Sequence, residues 1–252
     1  MKKLVLSLLV LFFASNCAWS KSTNTVEFPA ADGLVISADL YAPHAKDAPF
    51  IVLFHQAGWS RGEYKEIAPK LNAMGFNCMA VDQRSGGKIN GVVNQTNLRA
   101  KKAKKGTSYV DAMVDVEAAI AYVKEKQKPK KLIIWGSSYS SALVLRYAGT
   151  HPGAVDGVLS FAPGEYFEKL GKSKTWIQDA AKNIDGPVFI TSAKAEKSNW
   201  ENIYGAIKSK DKSSFLPTGD GQHGSRALWK KFPEHKNYWA AVSTFLEGFK
   251  KH

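Results

Sequence analysis

The sequence predicts a single α/β domain, with a mostly parallel central sheet, an antiparallel hairpin at its N-terminal end and helices on both faces. Three observations lead there. Short apolar runs alternate with stretches of helical periodicity along most of the chain. The runs are apolar at nearly every position rather than at every second one, as strands buried on both faces require. The length of 252 residues suits one core of this class, and neither an internal repeat nor a domain boundary interrupts it.

The elements follow in order. "TVEFPAADGLVISADLYAP" reads as two extended segments around Asp32-Gly33, a hairpin signal. "APFIVLFHQAG" is a strand, and "GEYKEIAPKLNAMG" a helix that Pro69 is expected to kink and Gly75 to end. "FNCMAVDQR" is a second buried strand. "SYVDAMVDVEAAIAYVKEK" is the longest helix, with Met113, Val116, Ile120 and Val123 on one side. The alternation continues with strands in "KKLIIWG", "VDGVLSFAP", "GPVFITSA" and "SSFLPTG". Helices follow them in "SALVLRYAG", "WIQDAAKNI", "WENIYGAIK" and "AAVSTFLEGFK". Lys88 to Ser108 carries no periodicity and reads as one long loop, a length that usually has a function or no fixed structure.

The first twenty residues stand apart as a leader. "MKK" precedes the apolar run "LVLSLLVLFFA", which falls short of a bilayer span, and Ala18 and Ser20 supply the small residues a signal peptidase needs. Cleavage is expected after Ser20, giving a periplasmic or secreted domain over residues 21–252 with no integral membrane span. Asn16 beside Cys17 argues against lipid attachment. Cys78 is then the one remaining cysteine, which excludes an internal disulfide, and its apolar surroundings predict a buried, inert thiol. The formal charge of +13 falls by two with Lys2 and Lys3. Part of the rest lies in "RAKKAKKG", which reads first as a solvated, mobile loop, with an anionic substrate or surface met by Lys101, Lys102, Lys104 and Lys105 as the alternative. No aromatic residues interleave with them, and nucleic acid is a poor match for an exported chain.

Four serines crowd "IIWGSSYSSAL" (Ile133 to Leu143), at the end of a strand and the start of a helix. A nucleophile on such a turn has a strained backbone, and the side chains two residues before and after it collide unless both are small. Ser137 would have Trp135 at −2, and Ser141 would have Tyr139 and Leu143 as neighbours. Ser140 lies too far into the helix. Ser138, with Gly136 before it and Ser140 after it, meets both conditions, although serine stands where G-x-S-x-G has its last glycine.

A hydroxyl nucleophile needs a base, and the base needs an acid to hold its tautomer. In a strand–elbow–helix sheet these follow the serine along the chain, acid before base. His223, in the glycine-rich "TGDGQHGS", is the candidate base, while His235 in "FPEHKNYW" reads as a turn residue. Glu196 is the first carboxylate after "GPVFITSA" and the candidate acid, with Glu165 in "APGEYF" as the alternative. The oxyanion needs backbone donors. Tyr139, just after the nucleophile, is one; Ala57, or second Gln56, in the turn after "FIVLF" is the other. His55 is expected to brace that turn. Trp59, Tyr166, Phe167 and the 88–108 segment are placed to line the mouth of the site.

With "FHQAGWSRGEY", "VDQRSGG", "WGSSYS", "PVFITSAKAE" and "GQHGS" in this order, the chain resembles the α/β-hydrolase superfamily, most closely its dienelactone-hydrolase-like branch. The resemblance runs from about Leu34 to Phe249. It implies an ester, thioester or lactone hydrolase that works through an acyl-enzyme on a Ser138–Glu196–His223 triad, with no metal or cofactor. The serine nucleophile, where dienelactone hydrolases proper use cysteine, sets dienelactone aside as substrate. Two other readings compete: an inactive hydrolase fold that binds anionic envelope components, and a peptidase.

Overall fold

A computed structural model gives the structure of the protein and describes residues 24–250. The leader and its cleavage point lie outside the described residues. The hairpin forms as the sequence indicates, with β1 (Asn24–Pro29) antiparallel to β2 (Val35–Tyr41). Gly33 turns it at φ +80°, and Asp32 Oδ1 accepts the Leu34 N–H at 3.2 Å. The buried strands β3 (Phe50–Phe54) and β4 (Asn77–Val81) follow, separated by α1 (Ile67–Ala73). Then come a small hairpin, β5 (Lys88–Ile89) and β6 (Val92–Val93), and the helices α2 (Gln95–Lys102) and α3 (Met113–Tyr122). The rest alternates: β7 (Leu132–Ser137), α4 (Tyr139–Thr150), β8 (Gly157–Phe161), α5 (Trp176–Ala181), β9 (Val188–Thr191), α6 (Lys197–Ala206), β10 (Lys212–Phe215) and α7 (His235–Glu247).

The large sheet has eight strands in the order β1-β2-β4-β3-β7-β8-β9-β10. The pairs β1–β2 and β2–β4 are antiparallel, and every other pair is parallel. This is the α/β-hydrolase fold. The continuous apolar runs divide by the period of two. Ile51, Leu53, Ile133 and Trp135 pack under α1 and α7, while Phe50, Val52, Phe54 and Ile134 pack under α3 to α6. Cys78 is fully buried in the first of these layers, and burial pushes its thiol well above the ordinary range. Because the central strands are parallel, the turns after β3, β7, β8 and β9 all emerge at one edge, where ligands of such sheets bind.

Three local expectations need correction. Pro69 does not kink a helix: α1 starts at Ile67, so the proline lies in its first turn, where no backbone N–H is needed. The segment Lys88–Ser108 is not a bare loop but holds the small hairpin and α2. Asn94 caps that helix by accepting the Asn97 N–H at 2.8 Å. Of α2's residues only Ala100 belongs to the apolar core, so there was no periodicity to see. The longest predicted helix begins at Met113 rather than Ser108.

Candidate active site

Ser138 stands between β7 and α4 at φ +58°, ψ −124°, a strained backbone for a residue with a side chain. A Cβ at Gly136 would lie 2.3 Å from the Ser140 carbonyl oxygen, so only glycine fits two residues before it. Ser140 does more than fit. Its Oγ accepts the Ser137 N–H at 2.9 Å and turns its own proton toward the carbonyls of Phe54, His55 and Ser137, at 2.7, 2.9 and 2.9 Å. The departure from glycine therefore fastens the elbow to the end of β3. Ser137 Oγ bonds to Glu63, and Ser141 Oγ donates to the Ser138 carbonyl. Ser138 alone of the four closes no side-chain hydrogen bond of standard geometry among the described residues. Its hydroxyl sits against that of Tyr166, whose pKa burial raises most, Glu196 raises further and Ser138 lowers.

The carboxylate that meets His223 is that of Glu196. Its Oε1 lies 2.6 Å from His223 Nδ1, and its Oε2 accepts the Ala193 N–H at 3.1 Å. A carboxylate at Nδ1 fixes the proton there and leaves Nε2 as the free, basic nitrogen. The loop that carries His223 is held from several directions. Glu234 accepts the N–H groups of Gly219 and Gly221, each at 2.9 Å. The Lys194 N–H donates to the Asp220 carbonyl at 2.9 Å, which ties the base loop to the acid loop. The Ser225 N–H donates to Ser137 Oγ at 2.8 Å. Gly224 makes that approach feasible, since its φ is +70° and a Cβ there would lie 2.5 Å from the same oxygen.

The other side of Ser138 is the turn after β3. Among the described residues, the N–H groups of Ala57 and Tyr139 have no partner, and Tyr139 begins α4, where the helix dipole favours negative charge. The Gln56 N–H is not available: it donates to Glu63 Oε2 at 2.8 Å, so Gln56 is withdrawn as a backbone donor to an oxyanion. His55 braces the turn as expected. Its Nε2 accepts from the Gln83 N–H and from Asn94 Nδ2 at 3.0 and 3.1 Å, so Nδ1 carries the proton and donates to the Gln56 carbonyl at 2.8 Å. Burial lowers its pKa. Glu63 was not foreseen. It is fully buried, and burial pushes its carboxyl up to about 7 against the donors that favour its charge. Lying inside the helix-like run "RGEY", it gave no sign in the sequence of facing the elbow.

Other expected residues stand elsewhere. Glu165 is removed as the alternative acid because its carboxylate accepts the N–H groups of Ile177 and Gln178 at the start of α5. Phe167 is fully buried against Trp176 and does not line a mouth. Trp59 stacks on Trp229, with ring centres 5.3 Å apart, and Tyr109 stacks on Tyr139 at 4.6 Å. His235 opens α7. Lys101 and Lys102 end α2 beside the β1–β2 hairpin, where Arg99 pairs with Glu27 and Lys105 donates to the Asp32 carbonyl at 2.8 Å. Strands β4 and β3 separate that hairpin from β7. Among the described residues, no group of three or more His, Cys, Asp or Glu could hold a metal, and no helix is long and apolar enough to cross a membrane.

The family model described as "Serine aminopeptidase, S33" matches residues 45–180. A thiohydrolase, apmlB, of Arthrinium phaeospermum is 30% identical over 164 residues, which cover 63% of this chain and 50% of that one. The chain thus spans about half the length of this curated relative. Among solved structures, the Pyrococcus furiosus esterase Pf2001 superposes with a TM-score of 0.71 at 17% identity, over 92% of this chain and 94% of that one. A dienelactone hydrolase from Anabaena variabilis gives 0.67 at 13% identity, over 91% and 98%. At these identities the two structures establish the common fold.

Proposed function

The chain belongs to the serine aminopeptidase S33 family of α/β hydrolases, and we propose that it cleaves a carboxylic ester or thioester through an acyl-enzyme on Ser138. His223, oriented by Glu196, takes the Ser138 proton as Oγ attacks the acyl carbon. The Ala57 and Tyr139 N–H groups receive the oxyanion. The imidazolium then protonates the leaving alcohol or thiol, and water repeats the sequence to release the acid.

The observation that carries this reading is the 2.6 Å contact between His223 and Glu196, in a loop whose Ser225 N–H is bonded to the residue before Ser138. The thiohydrolase relative supports the thioester as a substrate class. The family description favours a second reading, cleavage of an amide at a peptide N-terminus. Export belongs to the same proposal, and the N-terminal mass of protein recovered from a periplasmic or culture fraction checks cleavage after Ser20.

Substrate class is tested by turnover of p-nitrophenyl acetate and butyrate, a short acyl thioester and an alanyl p-nitroanilide, with Ser138→Ala alongside. Ester or thioester turnover that disappears in the variant supports the proposal. Turnover of the anilide alone moves the assignment to the aminopeptidase reading. A folded protein that turns over none of them contradicts both.

A further inference from the structure

Three segments of different origin meet at the Ser137 and Glu63 side chains. Glu63 Oε2 accepts the Gln56 N–H at 2.8 Å, one residue before Ala57. Glu63 Oε1 lies 2.7 Å from Ser137 Oγ, one residue before Ser138. Ser137 Oγ accepts the Ser225 N–H at 2.8 Å, two residues after His223. The Glu63 backbone is held as well, with the Trp229 indole N–H donating to its carbonyl at 2.9 Å. Glu63, Ser137 and Ser225 are all buried, so an unmatched donor or acceptor among them has no water to turn to. We propose that Glu63 is a positioning residue that sets the oxyanion turn, the nucleophile elbow and the base loop in register with one another. The inference rests on the Ser138–Glu196–His223 reading and adds to it a residue that touches no substrate.

The donor and acceptor inventory says which form of Glu63 does this. When Glu63 is ionised, Ser137 donates its proton to Oε1 and accepts from Ser225, Oε2 accepts from Gln56, and every donor is matched. When Glu63 is protonated, its own proton points at Ser137 Oγ, and the Ser137 proton loses its acceptor. The charged and titratable groups that act on Glu63 do not remove this asymmetry. Arg226, in the 3₁₀ turn Ser225–Leu228, favours the charged form; Tyr64 beside it and Tyr139 on α4 are held neutral by burial. The ionised carboxylate is therefore the form that holds the three segments. Burial holds its carboxyl at about 7, so the neutral range is where this form gives way.

The test is the second-order rate of fluorophosphonate labelling at Ser138 across about pH 5 to 9, for wild type, Glu63→Gln and Ser137→Ala. Thermal unfolding confirms that each protein is folded. Expected for wild type is an acid-side fall steeper than that of Glu63→Gln, because Glu63 takes up a proton there. Glu63→Gln is expected to label about tenfold or more slowly at the plateau, with a shallower acid limb. Ser137→Ala, which removes the donor to Oε1 and the acceptor of the Ser225 N–H but leaves the Gln56 contact in place, is expected to slow labelling severalfold and carries the same test should Glu63→Gln not fold. A labelled wild type with both folded variants within twofold of it, and with the same acid limb, overturns the strut alone. A wild type that is not labelled at any pH removes the parent reading and this one with it.

Discussion

On the Ala57 side of Ser138 the chain is held by side chains that water does not reach, whereas on the His223 side it is held through backbone N–H groups, of which only that of Ser225 is fully buried. His55 and Glu63 are fully buried, and between them they bond Gln56 from both its carbonyl and its N–H. His223 and Glu196 keep 30% and 22% of their side chains exposed, and their loops hang on N–H groups that donate to Glu234, Asp220 and Ser137. The difference matches what the proposed mechanism would ask of each side. Donors that meet a developing charge work only if they are already in place, so their turn is built rigid. A base that gains and loses a proton in each cycle needs its charged form solvated, so it stays near water.

The comparison can be broken most severely on the base side. Glu196→Gln leaves the shape intact but removes the group that fixes the His223 tautomer, and kcat for an ester is expected to fall by about 10²–10⁴-fold. Glu165→Gln, measured alongside, is expected to leave kcat within about twofold and to cost about 1 kcal/mol in unfolding experiments through the start of α5. Equal losses in the two variants would mean that the acid has been assigned wrongly.

The oxyanion side answers first to pH. Glu63 has its carboxyl at about 7 in the folded protein against an ordinary value of 4.5, so between these pH values the folded state holds a proton that the unfolded state has released. Stability from this group is present at low pH and is lost as pH rises through that window, by about 2–3 kcal/mol. Unfolding of Glu63→Gln relative to wild type at about pH 5 and about pH 8 checks it: the variant should gain by that amount at the higher pH. Ser140→Gly removes the hydroxyl that joins the elbow to β3 and is expected to cost about 1–3 kcal/mol, with a lowered Tm and a severalfold fall in kcat.

These residues also mark where the sequence could be read. The sharp turn at Ser138 and the loop that carries His223 were legible because their requirements are local: small neighbours on a strained backbone, and a glycine-rich loop at a strand end. Glu196 followed from its place after β9. Glu63 and the bracing role of Ser140 were not legible, since both act across the sheet on residues more than seventy positions away in chain, and no short pattern encodes that pairing. Helix α2 escaped because it contributes one alanine to the core, so its apolar periodicity is absent although its Asn94 cap is present. The fold itself was readable because strands buried on both faces leave continuous apolar runs.

The smallest effect is expected from the lysines. Neutralising Lys101, Lys102, Lys104 and Lys105 should change the ratio of rates on anionic and neutral esters by less than about twofold at physiological salt, where charges act over about 8 Å and two strands intervene. A larger change would place the α2 end at the mouth of the site after all.

The central claim is that Ser138 is a nucleophile activated by His223 and Glu196. Mass-spectrometric location of the residue that a fluorophosphonate modifies, in wild type, Ser138→Ala and His223→Ala, tests it most directly. Modification at Ser138, absent from the first variant and slowed about 10³-fold or more in the second, is the predicted result. A folded wild type that remains unmodified, or is modified at another serine, would contradict the account.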